Sequence, residues 1–303
     1  MRNTVTAAGR RADTGAPPVG AAKAQDGREF EFTSSDFEVI RDLIYARAGI
    51  TLSPVKVDMV YSRIARRLRA LGMRRFQDYL SFLKSGRNEA EWQEFTNALT
   101  TNLTSFFREM HHFPLLADHL AARRGRDVAI WCCAASTGEE PYSIAMTVAE
   151  TYGAFDVPVE IVASDLDTNV LQKAKDGVYP LERVEKISQE QVRRFFKRGS
   201  GAQEGNVKVR QELNRMVTFR QVNLLSDPLP LKGPFDVIFC RNVMIYFDKP
   251  TQADVVRRLS QVMKPDGLLF VGHSESLLHV SDTVKLRGKT VYERVSARSR
   301  NDP

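Results

Sequence analysis

The sequence predicts an α/β fold: a doubly wound, mostly parallel sheet with an antiparallel C-terminal hairpin and an inserted small β subdomain, preceded by a small all-α domain. From Val128 onward, short apolar runs alternate with helical patterns, which is typical of strands buried on both faces of a parallel sheet. Residues 29–100 show only helical periodicity. Near the C-terminus, TVKLRGKTVYERV contains two alternating runs that meet at Arg287 and Gly288, which predicts the hairpin.

The composition is that of a globular chain. Hydrophobic residues make up 43% and charged residues 27% of the 303 positions, and no apolar run reaches the roughly 18 residues that span a bilayer. Residues 1–28 are rich in Ala, Gly, Arg and Pro and lack the apolar core of a signal peptide, so we expect a disordered lead there and a short tail at residues 297–303. Because Cys132, Cys133 and Cys240 lie in apolar runs, we expect buried, reduced thiols and a cytoplasmic protein.

One connection in the predicted sheet is too long for a single crossover helix. The second strand ends near Asp165 and the third begins near Val217, which leaves about fifty residues where about half as many are needed. We therefore assign residues 128–296 to the α/β domain and about 178–216 to an inserted β subdomain. Residues 101–127 then form a linker that lines the ligand site.

The stretch AIWCCAASTGEEPYSIAM, residues 129–146, predicts a strand, a tight turn of small residues and the start of a helix. This is the shape of a nucleotide-binding loop, but the full G-x-G-x-x-G and the G-x-x-x-x-G-K-[ST] patterns are missing, and two carboxylates stand where a phosphate would lie. Such carboxylates suit a ligand with a cationic group and hydroxyls. We assign that role to Glu139, nearest the turn, whereas Glu140 is expected only to complement the helix dipole.

The second strand supplies a companion carboxylate. Asp165 lies at the carboxyl end of VEIVASD, where a ribose diol is usually bound in open α/β sheets. Its alternative role is to cap the following helix, for which Asp167 is better placed. A ligand with a ribose, a cationic group and no phosphate is S-adenosylmethionine.

Several long runs resemble the bacterial chemotaxis receptor methyltransferases, which use S-adenosylmethionine to methylate receptor glutamates and release S-adenosylhomocysteine. The resemblance covers roughly Phe30 to Val295 and is carried by TTNLTSFFREMHHF, AASTGEEPYSIAM, ASDLDTNVL, FCRNVMIYF and MKPDGLLFVGHSES. It implies a helical N-terminal domain joined by a linker to a methyltransferase-type α/β domain.

The resemblance also implies site residues by position. The residues expected to line the cofactor are Asn102, Thr104, Arg108, Glu139, Asp165, Asn223, Leu224, Arg241 and Asn242. Of the matching residues, Arg108 and Tyr246 are expected near the transferred methyl group; their alternative roles are a surface arginine and a core tyrosine. No metal site is expected, because the adjacent His111 and His112 favour a helix surface.

Two surfaces are expected to bind the receptor. The first is a basic helix face formed by Arg63, Arg66 and Arg69, which could be either a solvated face or a docking surface for acidic receptor helices. The second is the glycine-rich turn of the insert with the alternating VKVRQEL, predicted to be a strand at a sheet edge. From composition alone this is a flexible hairpin turn.

In the resembled family this glycine pattern marks members that bind a short aromatic-containing peptide at the receptor's C-terminus. The residues expected to form that site are Arg198, Gly199, Gly201, Gly205 and Lys208. Lys208 stands where relatives have an arginine, so a forked hydrogen-bond pair is expected to be lost there.

Two other functions remain open at this stage: a nucleic-acid methyltransferase and a non-catalytic S-adenosylmethionine sensor. The first is disfavoured because Arg241, Asn242 and Val243 stand where amine methyltransferases of bases carry a proline-rich motif, and because Cys240 follows Phe239 rather than a proline. The second is disfavoured because the matching site residues are retained. We expect a monomer that is recruited to membrane receptors without inserting into the membrane and without binding nucleic acid.

Overall fold

The computed structural model describes residues 27–280 and 282–295. The expected tail lies outside these residues, as does the expected lead except for its last two positions. Among the described residues, no helix is both long and apolar enough to cross a bilayer. The chain begins with four described helices: α1 (Ser34–Ala48), α2 (Val57–Leu71), α3 (Phe76–Lys84) and α4 (Glu89–Leu99).

The helical domain has its own apolar core, as the helical periodicity predicts. Ile40 and Ile44 of α1 pack with Ile64 of α2 and Phe95 of α4, all fully buried. The helix α1 starts sharply because Thr33 accepts a hydrogen bond from the backbone of Asp36 in a capping box. Burial of these large side chains stabilises the domain by about 1.5–3 kcal/mol for each side chain removed from water.

The α/β domain follows a linker. Its helices are α5 (His112–Ala121), α6 (Glu139–Tyr152), α7 (Thr168–Asp176), α8 (Gln189–Phe195), α9 (Gln211–Asn214) and α10 (Lys249–Gln261). Its strands are β1 (Val128–Cys132), β2 (Val159–Asp165), β3 (Val178–Pro180), β4 (Phe196–Arg198), β5 (Asn206–Val209), β6 (Val217–Gln221), β7 (Phe235–Phe239), β8 (Met263–Phe270), β9 (Val284–Gly288) and β10 (Val291–Arg294).

The larger sheet confirms the predicted doubly wound architecture. Its described strands lie in the order β6-β2-β1-β7-β8-β10-β9. The first five pair in parallel, whereas β10 is antiparallel to both β8 and β9. The hairpin turn falls two residues later than predicted, at Lys289 and Thr290, which both have positive φ angles of 50° and 58°. That pair supplies the left-handed backbone that a tight hairpin turn requires.

The inserted β subdomain is also confirmed. In the described chain it forms a separate antiparallel sheet in the order β3-β5-β4. The expectation that VKVRQEL lies at a sheet edge is wrong, because its strand β5 pairs with β3 on one side and β4 on the other. The edge strands are β3 and β4. Sequence alternation identifies a half-buried strand but does not reveal how many neighbours it has.

The insert packs against the turn that follows β1. The hydroxyl of Tyr179 donates a hydrogen bond to the carbonyl oxygen of Thr137 at 2.7 Å. Gly138 has a φ of 98°, and a Cβ at this position would lie 2.7 Å from that same hydroxyl oxygen. Only glycine fits here. The insert therefore fixes the turn before α6 and hence the position of the site.

Candidate cofactor and active site

A pocket opens at the carboxyl ends of the parallel strands, between the sheet and the helical domain. It contains about 1000 Å³ of space, part of which is open to solvent. Open α/β sheets bind their ligands at this edge. Apolar side chains of the helical domain, including Ile50, Leu52 and Met59, form one wall. The predicted site residues on the pocket wall are Asn102, Thr104, Arg108, Asp165, Asn223, Leu224, Arg241, Asn242 and Tyr246.

Asp165 lies at the end of β2 and is held by backbone groups. It accepts hydrogen bonds from the backbone N–H of Ser136 at 2.8 Å and of Asp167 at 2.9 Å. Burial raises the pKa of Asp165 to about 6. The competing role of helix cap belongs to Asp167, which accepts from the backbone N–H of Asn169 at 2.9 Å. Asp165 is therefore available to a ligand.

The linker lies across the turn after β1. Asn102 donates to the carboxylate of Asp167 at 2.8 Å, and its carbonyl oxygen accepts from the hydroxyl of Ser136 at 3.0 Å. Thr104 is buried, and its carbonyl oxygen accepts from Arg183 of the insert at 3.0 Å. These bonds place the linker as one wall of the pocket.

The chain after β6 connects the pocket to the helical domain. Asn223 donates from its amide to the carbonyl oxygen of Arg47, at the end of α1, at 2.8 Å. The same side chain accepts from the backbone of Leu225 at 3.0 Å. Leu224 is buried beside it on the pocket wall. These contacts hold the two domains together around the pocket.

Arg241 follows β7 and is buried with a network of partners. Its guanidinium donates to Glu140 at 2.7 Å and to the carbonyl oxygen of Arg108 at 2.5 Å. A third contact reaches the carboxylate of Glu109 at 3.3 Å. Burial raises the pKa of Glu140, and the positive charge of Arg241 opposes that rise.

Glu109 joins this network to the loop after β8. Its carboxylate accepts from the ring of His273 at 2.9 Å and from the side-chain amide of Asn242 at 3.2 Å. Burial alone would raise the pKa of Glu109, but these hydrogen bonds and the charge of Arg241 lower it to about 2. Glu109 is therefore ionised throughout the physiological range.

The two adjacent glutamates after the turn pair with different arginines. Glu139 is fully buried but is absent from the described pocket wall, because its carboxylate is bound by Arg183 and by the hydroxyl of Thr137. Glu140 lines the pocket and holds Arg241. Glu139 therefore secures the insert, and Glu140 lines the pocket. The cofactor role expected of Glu139 stays a prediction.

A third buried carboxylate shapes the loop after β7. Glu275 accepts hydrogen bonds from the backbone N–H groups of Asn242 at 2.8 Å, Met244 at 2.8 Å and Gly272 at 2.6 Å. Asn242 takes a positive φ of 57° within this loop. The loop leads directly to the short helix that carries Tyr246. Glu275 therefore fixes the course of the active-site loop.

Arg108 and Tyr246 both lie on the pocket wall and remain partly exposed. Arg108 donates to the carbonyl oxygen of Leu103 at 2.8 Å, which leaves its other N–H groups for a substrate. Burial raises the pKa of Tyr246, and the nearby positive charge of Arg108 opposes this rise. The backbone carbonyl of Tyr246 accepts from the backbone of Thr51 at 2.8 Å. Arg108 is therefore more than a surface arginine, and Tyr246 is not a core tyrosine.

Glu109 and Glu275 were not predicted from the sequence as residues of the site. The position of Glu140 on the pocket wall was not predicted either. Glu109 and Glu275 occur in the quoted runs REMHHF and GHSES, but no spacing rule distinguishes them from exposed glutamates. Their partners come from distant segments, since Glu109 and His273 are 164 residues apart. Only the folded chain brings them together.

The fold and the pocket together define a class. A carboxylate at the end of β2, a second carboxylate at the turn after β1 and a turn of small residues fit a nucleoside with a ribose diol and a cationic group. The small side chains of Ala134 and Ser136 leave room for such a ligand against the backbone. This is the site of an S-adenosylmethionine-dependent methyltransferase.

Comparison with known proteins identifies the family. The family model described as "CheR methyltransferase, SAM binding domain" matches residues 102–292. The model described as "CheR methyltransferase, all-alpha domain" matches residues 35–100. The chain belongs to the CheR methyltransferase family, and its cofactor is S-adenosylmethionine.

Curated relatives match over nearly their whole length. The "Chemotaxis protein methyltransferase" of Salmonella typhimurium is 55% identical over 260 residues, covering 86% of this chain and 90% of the relative. That of Escherichia coli is 54% identical over 260 residues, covering 86% and 91%. "Chemotaxis protein methyltransferase 2" of Pseudomonas aeruginosa is 53% identical over 268 residues, covering 88% and 95%.

The raised pKa of Asp165 predicts pH-dependent cofactor binding. We expect the ionised carboxylate to accept hydrogen bonds from ribose hydroxyls. Below pH 6 the unliganded Asp165 carries a proton, which must be released before the cofactor binds in this way. We expect the dissociation constant to rise as pH falls through 6, approaching about tenfold per pH unit. Calorimetry between pH 5 and 7.5 measures this. Asp165→Asn should bind more weakly by about 1–3 kcal/mol and lose this pH dependence; a parallel pH profile in the variant would contradict the assignment.

The geometry of the paired glutamates predicts different effects on cofactor binding. Glu140→Gln should weaken S-adenosylmethionine binding by about 1–3 kcal/mol, because it removes a charge from the pocket wall and from Arg241. Glu139→Gln breaks the pair with Arg183 and should lower stability, but in the folded protein it should weaken cofactor binding less than Glu140→Gln does. Calorimetry at one pH, with circular dichroism to confirm folding, compares them. A larger loss of S-adenosylmethionine affinity in Glu139→Gln than in Glu140→Gln would support the cofactor-binding role first assigned to Glu139.

Proposed function

We propose that this protein transfers a methyl group from S-adenosylmethionine to glutamate side chains of chemoreceptors and produces glutamate methyl esters. The observation that carries the proposal is Arg108 beside Tyr246 at a pocket that otherwise fits the cofactor. The names of the relatives, chemotaxis protein methyltransferases, support a chemotaxis substrate.

The chemistry needs positioning more than acid–base catalysis. When bound, S-adenosylmethionine supplies an electrophilic methyl group on a sulfonium. A glutamate carboxylate is already ionised near pH 7 and needs no general base. Arg108 would hold it through a charge-assisted hydrogen bond, and Tyr246 would donate a hydrogen bond near the reacting oxygen. Alignment of this kind can contribute about 7–11 kcal/mol.

The charged groups of the pocket wall indicate which kind of methyl acceptor the pocket suits. The wall carries the carboxylates Asp165 and Glu140 and the cations Lys56, Arg108 and Arg241. We assign the carboxylates to the cofactor and the partly exposed Arg108 to the substrate. That arrangement favours an anionic acceptor over an amine, which would compete with Arg108 for the same space. The polarity of the pocket thus supports a carboxylate substrate.

The basic face of α2 supports docking of acidic receptor helices, but its three arginines are not equivalent. Arg63 donates to the carbonyl oxygens of Ala98 at 3.2 Å and Thr100 at 2.5 Å, so it also holds the linker. Arg69 is half-exposed and pairs with Glu29. Arg66 is exposed. We assign the electrostatic part of receptor binding mainly to Arg66 and Arg69.

The insert offers a groove for a receptor C-terminal peptide. Beside β4, apolar side chains of Leu181, Val184 and Ile187 form the floor, and basic side chains including Arg193 and Arg198 border it. The outer edge of β4 can pair with an added strand. An apolar floor with basic borders fits an aromatic-containing peptide that ends in a carboxylate.

Of the five predicted docking residues, Arg198 is the one that lines this groove in the described part of the chain. Arg198 and Gly199 lie at the end of β4, where a Cβ on Gly199 would collide with the carbonyl oxygen of Gln203. Gly201 and Gly205 both have positive φ angles, 58° and 83°. Lys208 is exposed in the central strand opposite Lys197. Tethering through this groove would raise the local substrate concentration without altering the pocket. We further propose a monomeric, cytoplasmic enzyme that is recruited to receptors and has no nucleic-acid substrate.

The chemical nature of the product tests the proposal. Incubation with methyl-labelled cofactor and receptor-bearing membranes should give label that mild alkali releases as methanol, because carboxyl esters are base-labile and methylated amines are not. Tyr246→Phe should lower kcat with little change in cofactor affinity, since it removes one hydrogen bond worth about 1–2 kcal/mol. Label that survives the base treatment would contradict ester formation.

The positive φ of Gly201 predicts a separable effect on receptor docking. Gly201→Val should lower the affinity for a receptor-tail peptide more than about tenfold, because a β-branched residue strains this backbone conformation. Cofactor affinity should not change. Gly86→Val is the matched control, since Gly86 has a φ of 67° and open space around its Cβ position but lies in the helical domain. Normal peptide binding by Gly201→Val, measured by fluorescence polarisation, would place the docking site elsewhere.

A further inference from the structure

A cluster of metal-ligating side chains lies outside the pocket wall, in the turn that precedes α5. Potential ligand atoms of Glu109, His111 and His112 all lie within 4.8 Å of one another. Glu109 has a positive φ of 54° and lies with His111 in this turn, whereas His112 is the first residue of α5. The expectation of a helix surface is wrong for His112, which is fully buried.

The hydrogen bonds of His112 fix which ring nitrogen carries the proton. Its Nε2 lies 3.0 Å from the carbonyl oxygen of Lys289, which can only accept a hydrogen bond. Nε2 therefore carries the hydrogen, and Nδ1 keeps its lone pair.

The lone pair on Nδ1 has no hydrogen-bond partner in the part of the chain that the structure describes. It faces Glu109, whose Oε2 is 3.8 Å away and is itself an acceptor. Glu109 Oε2 also accepts from the backbone N–H of His273 at 3.1 Å and lies 3.3 Å from Arg241. The buried Nδ1 of His112 has no such donor, and a cation bound there would satisfy its lone pair.

The donor set selects the kind of cation. Neutral imidazole nitrogens with one carboxylate oxygen suit Zn²⁺ and similar first-row ions, whereas Mg²⁺ and Ca²⁺ prefer oxygen alone. An N–H donated to a backbone carbonyl, as His112 donates to Lys289, also orients histidine ligands in metal sites.

We propose that Glu109, His111 and His112 form a binding site for Zn²⁺ or a chemically similar divalent ion. The ring of His273 donates from its Nδ1 to Glu109 Oε1 at 2.9 Å and so orients that carboxylate. The ion would compete with Arg241 for the Glu109 carboxylate. Occupancy of the site therefore weakens one contact of an arginine on the cofactor pocket wall.

The experiment uses the full chain without a polyhistidine tag. Equilibrium dialysis with Zn²⁺ should find one ion per chain. His111→Ala should weaken binding more than tenfold, and because His111 is exposed this change should leave the fold intact. His279→Ala, at another exposed histidine, is the matched control and should bind as the parent does.

Cobalt substitution separates this site from the cysteines. Co²⁺ should give visible d–d absorption without a thiolate charge-transfer band, because Cys132, Cys133 and Cys240 are buried elsewhere. Equal Zn²⁺ affinity in the parent and His111→Ala, no detectable binding by the parent, or a thiolate band would each overturn the proposal. The measurement requires no methyl transfer, so it is independent of the proposed enzymatic function.

Discussion

The buried guanidinium of Arg241 is the interaction on which the site depends. It joins the chain after β7 to Glu140 at the start of α6 and to the backbone of Arg108 in the linker. Through Glu109 it also reaches the loop after β8, which carries His273. Breaking a buried pair of this kind leaves an uncompensated charge and typically costs about 3–5 kcal/mol. One residue thus aligns four segments that meet at the carboxyl edge of the sheet.

Two further carboxylates hold other segments in place around the pocket. Glu275 accepts three backbone hydrogen bonds and so fixes the loop that leads from Asn242 to Tyr246. Glu139 binds Arg183 and ties the insert to the turn beside the cofactor space. The insert therefore stabilises the cofactor turn, and the proposed peptide groove lies beside its strand β4. The proposed separation of docking from catalysis follows from this arrangement.

The apolar runs predict the sheet and the insert, and Asp165 is predicted because it stands at the end of one such run. The other predicted pocket residues are implied by the family resemblance. The sequence does not reveal the partners of the adjacent glutamates, since Arg183 and Arg241 lie 44 and 101 residues away. It places the insert's strand at an edge because alternation reports burial, not pairing. It misses the burial of His112 because nothing local in the sequence indicates a partner at Lys289.

A double-mutant cycle tests the central role of Arg241 most directly. Glu140→Gln, Arg241→Gln and the double variant would be made in a Trp92→Phe background, so that fluorescence reports the fully buried Trp131 of the α/β domain. The account predicts that each single change destabilises this domain by about 3–5 kcal/mol. It also predicts that the double variant loses about 2 kcal/mol less unfolding free energy than the two single variants lose together. Additive effects within about 0.5 kcal/mol would contradict the account.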